Sequence, residues 1–251
     1  MTPLEAIAVF VSGIAAGGIN AIVGSGTLIT FPTLLAIGYP PVVANVSNNI
    51  GLAPGGFSGA LGYRRELAGQ RQRLIRLGAA SAIGGLTGGL LLLRLPDDAF
   101  AAIVPVLIVI GCVLVVIQPW LTSRIATRQD APSHGSAWTW GFVFLAGVYG
   151  GYFGAAQGVL LIAILGIGLD EGMQRVNAAK NVLSTIVNSV AALLFILIAD
   201  VAWDVVALIA AGSIIGGQLG ATLGRRLPSP VLRGFVVFVG VAAVIKLVVI
   251  D

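Results

Sequence analysis

From Ala6 to Tyr63 the chain runs for 58 residues without a charged side chain. One helical crossing of a bilayer core takes about 20 apolar residues. The stretch is too long for one crossing and must turn inside or across a membrane. Two more charge-free runs cover 99–123 and, with His134 neutral, 134–169. Charged residues are 10% of the chain and hydrophobic residues 57%, against about 25% charged in a soluble domain. No polar block is long enough to fold as a soluble unit. The N-terminus lacks the positive flank of a signal peptide, so 5–23 is expected to be retained structure.

Full spans are expected near 42–62, 75–95, 99–121, 173–199, 204–223 and 229–249. Two Gly-interrupted segments remain, near 5–38 and 137–168. Each has length for two short helical arms around a break. The breaks resemble each other. Gly24-Ser25-Gly26-Thr27, an apolar run to Gly38 and Ala44-Asn45-Val46-Ser47-Asn48-Asn49 stand in the first half. Gly154-Ala155-Ala156-Gln157-Gly158, an apolar run to Gly168 and Val176-Asn177-Ala178-Ala179-Lys180-Asn181 stand about 130 residues later. Paired broken segments in matching halves of a membrane protein point to a transport site.

Positive charge sets orientation, because cytoplasmic loops are enriched in Lys and Arg. Arg64, Arg65, Arg71, Arg73 and Arg76 mark one cytoplasmic loop, and Arg225, Arg226 and Arg233 another. The connector with Arg124 and Arg128 is the third. The turns carrying Asp97 and Asp98, and Asp200 and Asp204, then fall outside, with Arg94 a lone exception. Span 42–62 must run inward and span 173–199 outward. The expected fold class is an all-α polytopic membrane protein with two inverted-topology repeats, each a Gly-broken hairpin followed by three transmembrane helices. The expected units are 1–121 and 137–251, joined by a cytoplasmic connector at 122–136, in the inner (plasma) membrane with both termini outside. Gly84, Gly85, Gly88 and Gly89, and Gly212, Gly216, Gly220 and Gly224, are read as packing glycines, since they let helix backbones approach closely.

Three residue sets could carry chemistry. Asn45, Ser47, Asn48 and Asn49 place amides and a hydroxyl at the start of span 42–62. Amides donate and accept without the cost of a buried charge. The bland reading is helix capping after Tyr39-Pro40-Pro41. Asn177, Asn181, Ser184 and Asn188 are spaced four, three and four, which puts them on one helix face. Lys180 borders that face. It is read either as an anion ligand or as a side chain snorkelling to an interface about 10 Å away. The breaks are the third set: they are expected to leave backbone N–H groups free, and such groups at a helix N-terminus bind anions. Ser25, Gly26, Thr27 and Gln157 belong here. The bland reading is a tight turn that needs glycine.

Other chemistry is excluded or unsupported. Gly24-Ser25-Gly26-Thr27 lacks the Lys-Ser/Thr ending of a P-loop. One His and one Cys exclude an HExxH site and give no convincing catalytic triad. Neither an enzyme, a cofactor nor a metal is expected. The net charge of +4 sits in short loops and does not imply nucleic acid.

The chain resembles the sulfite exporter TauE/SafE family of membrane permeases. The resemblance rests on the paired Gly-rich hairpins, on Ala44–Asn49 followed by Ser58-Gly59-Ala60-Leu61-Gly62-Tyr63-Arg64, on the basic loop after it, and on Arg175-Val176-Asn177-Ala178-Ala179-Lys180-Asn181. It implies export or uptake of small anions such as sulfite, sulfoacetate or related organosulfur compounds. Where the family often has Thr-Asn-Arg, this chain has Ser47-Asn48-Asn49 without the Arg, and Lys180 stands in the second half. The expected partners are a small anionic substrate and the lipid bilayer, with no nucleic acid. A homo-oligomer is compatible with the sequence. An anion channel with the same lining is the alternative function.

Overall fold

A computed structural model describes residues 1–125, 136–223 and 229–247. His134, Arg128, Gly224, Arg225 and Arg226 lie outside these residues. Among the described residues there are ten helices and no strands: α1 (Pro3–Ile22), α2 (Thr27–Ile37), α3 (Pro41–Gly62), α4 (Arg71–Arg94), α5 (Asp97–Ile125), α6 (Ala137–Tyr152), α7 (Gln157–Gly168), α8 (Met173–Ile198), α9 (Trp203–Leu223) and α10 (Ser229–Ile245). The protein is an all-α, multi-pass membrane protein.

Among the described residues, five helices are long and apolar enough to cross a bilayer: Pro3–Ile22, Arg71–Arg94, Asp97–Ser123, Met173–Ile198 and Trp203–Thr222. The 22 residues of α3 give it the length, but its amides and glycines dilute its apolar character. The hairpin arms are less even than expected. The 20 residues of α1 reach about 30 Å, and the 11 of α2 only about 16 Å. The first arm is span-length and the second is a half-helix.

Local chemistry sets the ends. Pro3 opens α1 after Thr2, whose hydroxyl accepts from the Glu5 amide at 3.3 Å while Glu5 accepts from the Thr2 amide at 2.7 Å. Such a reciprocal cap satisfies two end donors. The breaks close in one pattern. The amides of Val23 and Gly24 both reach the Ile19 carbonyl, at 2.7 and 3.0 Å, and those of Phe153 and Gly154 both reach the Tyr149 carbonyl, at 2.9 and 3.1 Å. Gly24 and Gly154 stand at φ 86° and 78°, where a side chain would be strained.

Packing pairs recur between the halves. α1 lies along α9 as α4 lies along α6, and α5 meets α7 as α10 meets α2. Glycines set these contacts. A Cβ on Gly216 would run into the Ile14 carbonyl of α1, and one on Gly88 into the Val148 carbonyl of α6. Gly84, Gly212 and Gly220 are similarly blocked by backbone, as the spacing of four anticipates. Gly85 and Gly89 face α8 instead.

Candidate functional site

The two breaks touch. Gly158, one residue into α7, donates its amide to the carbonyl of Gly24 at 3.0 Å. A Cβ on either glycine would collide with the other's Cα. Close backbone contact therefore explains glycine at both places.

Around this contact lie most of the expected site residues. Lys180 has 0% of its surface exposed. Its ammonium donates to the carbonyls of Asn20 at 2.8 Å and Ala21 at 3.3 Å. Asn177 and Asn181 both donate to the Ala21 carbonyl, each at 3.2 Å. These carbonyls belong to the last turn of α1, where they have no partner inside the helix. That end also carries the negative pole of the helix dipole, which favours a cation. The snorkelling reading of Lys180 is thereby excluded. The side chain runs inward past Gly158, where a Cβ would approach Lys180 Cδ to 2.9 Å.

Asn48 holds the far side of the same break. It donates to Thr27 Oγ1 at 3.4 Å and accepts a short bond from Thr30 Oγ1. Asn45 reaches across to the second hairpin and donates to the Tyr152 carbonyl at 2.9 Å, at the end of α6. So Asn45 caps the end of α6 as Asn177 caps the end of α1. None of the α3 amides caps α3 itself: the helix opens at Pro41 with Pro40 before it, and Asn45 already lies inside. Ser47 donates nothing to this cluster; its oxygen accepts from the Ala202 amide at 3.0 Å.

Several of the backbone donors expected to be free at the breaks are spent. Gly26 N–H goes to Asn20 Oδ1 at 2.7 Å, Gln157 N–H to the Gly154 carbonyl at 3.3 Å, and Gly158 N–H to Gly24. A buried amide must be paired, and here the neighbouring carbonyls and Asn20 pair it. Side-chain atoms are left over instead. Ser25 Oγ, Asn49 Oδ1, Gln157 Nε2, Asn177 Oδ1 and Ser184 Oγ are buried without a hydrogen-bond partner. Buried polar atoms normally find partners, and these five have none. Gln157 lies against the backbone of Gly150. Asn188 is half-buried, two turns beyond Asn181, and among the described residues no hydrogen bond joins it to the cluster.

Asn20, Thr30 and Tyr149 were not anticipated. Asn20 holds Gly26 and offers its carbonyl to Lys180, and the Tyr149 hydroxyl donates to the Ala155 carbonyl at 2.6 Å. Their signal was a lone amide, hydroxyl or phenol in the last turn of an apolar arm or just past a break.

Outside the cluster, one end of the bundle carries ion pairs. Glu171 meets Arg73 Nη1 at 2.9 Å and Arg175 Nε at 2.5 Å. Gln70, only 2% exposed, donates to the Glu66 and Arg175 carbonyls. Burial alone would raise the Glu171 carboxyl, but hydrogen bonds and charge from Arg175 and Arg73 outweigh it and hold the group below its ordinary range.

Paired broken hairpins joined at a buried polar cluster match the pattern of a transporter, and a family model decides which kind. The model for "Sulfite exporter TauE/SafE" matches residues 9–247. The chain belongs to the sulfite exporter TauE/SafE family. It is 26% identical over 238 residues to a "Probable membrane transporter protein ORF9" of Sinorhizobium sp, covering 95% of this chain and 90% of the relative. It is 27% identical over 245 residues to a "Probable membrane transporter protein" of Haemophilus influenzae, covering 95% and 92%. It is 25% identical over 252 residues to "Probable membrane transporter protein YfcA" of Escherichia coli K12, covering 98% and 91%. This TauE/SafE chain is therefore a membrane transporter.

Proposed function

We propose that the protein is a secondary transporter of small anions, with sulfite, sulfoacetate or a related organosulfur anion as substrate, working by alternating access. The observation that carries this reading is the meeting of the two breaks at Gly24 and Gly158 beside the fully buried Lys180. A fixed cation among amides and unpartnered hydroxyls is the chemistry an anion needs. The substrate would lie among Ser25, Gly26, Thr27, Asn45, Asn48, Asn49, Gln157, Asn177, Lys180, Asn181, Ser184 and Asn188.

Two inverted repeats, 1–121 and 137–251 with the connector 122–136 between them, are part of the same reading. The exchanged packing pairs and the arginine loops support it. In this reading the chain lies in the inner membrane with both termini outside, an orientation that the arginine pattern supports. The burial of Asn48 and Lys180, at 1% and 0% exposure, favours a carrier over an open pore. The test is counterflow in proteoliposomes. Vesicles preloaded with unlabelled sulfite or sulfoacetate should transiently concentrate the labelled anion. Equilibration without overshoot would indicate a channel, and no uptake of any sulfur oxyanion, sulfonate or carboxylate would reject the transporter reading.

A further inference from the structure

A broken transmembrane helix ends in unpaired carbonyls, and in secondary transporters such ends commonly hold the coupling cation. Here the end of α1 already holds one. Lys180 Nζ sits 2.8 Å from the Asn20 carbonyl and 3.3 Å from the Ala21 carbonyl. The ammonium thus stands where a metal cation would stand, tethered to α8.

Its surroundings leave that charge uncompensated. α3, α6 and α7 carry no ionisable carboxylate or cation, and α4 carries only arginines. The single acid of α1, Glu5, lies at the opposite end of that helix. Glu171, ahead of α8, is engaged by Arg73 and Arg175. Of the phenols, Tyr149 donates to the Ala155 carbonyl, and Tyr63, at the end of α3, packs against Ala178. Among the described residues Lys180 therefore meets carbonyl dipoles and no carboxylate. A buried charge without a counter-charge is costly to keep and costly to carry across a bilayer.

Three donors belong to a lysine ammonium, and two are directed at Asn20 and Ala21. The third is left for a ligand. An anion that took it would supply the missing counter-charge. The α1 end does not depend on the ammonium alone, because Asn177 and Asn181 also donate to the Ala21 carbonyl. It stays capped when the ammonium becomes an amine.

We infer that Lys180 carries the coupling ion, and that this ion is a proton moved together with the anion, one proton per anion. This rests on the anion-transport reading of the same cluster. On the loading side the Lys180 amine takes a proton from water and the ammonium binds the anion. On the other side the anion leaves, the Nζ–H bond releases its proton to water, and the empty carrier returns with a neutral amine. No sodium is required.

The test uses the whole protein in proteoliposomes with sulfoacetate, whose sulfonate and carboxylate are both ionised at neutral pH. An imposed sulfoacetate gradient should move protons in the same direction, read by an entrapped pH dye, and omitting sodium should change nothing. Lys180→Arg keeps a cation that does not deprotonate, so labelled sulfoacetate should no longer be accumulated by a pH gradient. A second measurement addresses the lysine directly. The chain has two lysines, Lys180 and Lys246, so a lysine-labelled sample gives two side-chain nitrogen signals, assigned with Lys246→Gln. The Lys180 signal should switch between ammonium and amine as pH changes, and sulfoacetate should hold it as ammonium. A Lys180 signal that never titrates, proton movement retained by Lys180→Arg, or a sodium requirement would overturn the inference. A parent that carries sulfoacetate without protons overturns the coupling and leaves the transport reading standing. A parent that carries none of the anions overturns both.

Discussion

The amide of Gly158 reaches the carbonyl of Gly24 across 3.0 Å, so two chain breaks from opposite halves of the protein share a hydrogen bond. This contact fixes where the polar cluster can form. It brings the carbonyl end of α1 beneath Lys180 and sets the opening residues of α7 against α8. A side chain at either glycine would separate the hairpins.

The glycine seams give the simplest stability prediction. Gly88→Val places atoms in the Val148 carbonyl, and Gly216→Val in the Ile14 carbonyl. Overpacking costs about 1–3 kcal/mol where neighbours can give way, and a helix backbone gives way poorly. Both variants should lower the thermal midpoint in detergent by several degrees or fail to fold. Gly141→Ala and Gly234→Ala, whose added Cβ meets nothing within 4 Å, should leave it unchanged. Equal losses at all four positions would contradict the seam.

Cysteine labelling tests orientation. Ala68 and Asp98 are both exposed, whereas Gln70 is buried and would report poorly. On a Cys112→Ala background, Ala68→Cys should react only from the cytoplasm and Asp98→Cys only from outside. Reaction of both from one side would break the charge reading and the inverted arrangement with it.

Glu171 has a defined pH signature. Its carboxyl is held below the ordinary range, so its contribution to stability is present above the unfolded carboxylate pKa and disappears as pH falls through the lower, folded value. The difference in thermal midpoint between parent and Glu171→Gln should be largest at neutral pH and shrink on acidification. Sulfoacetate flux should survive in Glu171→Gln and in Asp170→Asn, because neither side chain belongs to the polar cluster. Complete loss of flux in folded protein would make these acids candidates for the proton path.

These outcomes bear on what the sequence could tell. The breaks and the spans that form α4, α5, α8 and α9 were legible because glycine pairs punctuate charge-free runs, and charge-free runs longer than one crossing must fold back. Among the described residues the expected span 229–249 is instead the 17-residue α10, short of a full crossing, and 42–62 has the length but not the apolar character. The α8 amides were legible by spacing, and Asn177 and Asn181 do share the Ala21 carbonyl. The target of Lys180 was not. Spacing places a side chain on a helix face but says nothing about which distant backbone that face meets. The Asn20 carbonyl is 160 positions away in the chain. One amide expected to be free is engaged for a related reason: Asn20 pairs with Gly26 because the chain turns back after Val23.

The affinity prediction concerns Lys180 and Asn48, which flank the first break from α8 and α3. A desolvated, charge-assisted contact is worth about 1.5–3 kcal/mol, or about 10- to 150-fold in affinity. Lys180→Gln keeps a donor near the Asn20 and Ala21 carbonyls but removes the charge, so sulfite or sulfoacetate binding should weaken by about that factor. Lys180→Arg should weaken it less, although the planar guanidinium cannot copy the lysine contacts to two adjacent carbonyls. Asn48→Ala removes the Thr27 donor and leaves Thr30 Oγ1 only its long bond to the Gly26 carbonyl, and should cost about 1–3 kcal/mol of stability, the penalty for unpaired buried groups, as well as affinity. The ligand-induced rise in thermal midpoint reads both effects, because a ligand specific to the folded state stabilises it by an amount that grows with the logarithm of its concentration over Kd. If Lys180→Gln gives the parental rise at each anion concentration, the ammonium serves only to cap α1, and the anion is held by neutral donors such as Ser25, Gln157 and Ser184.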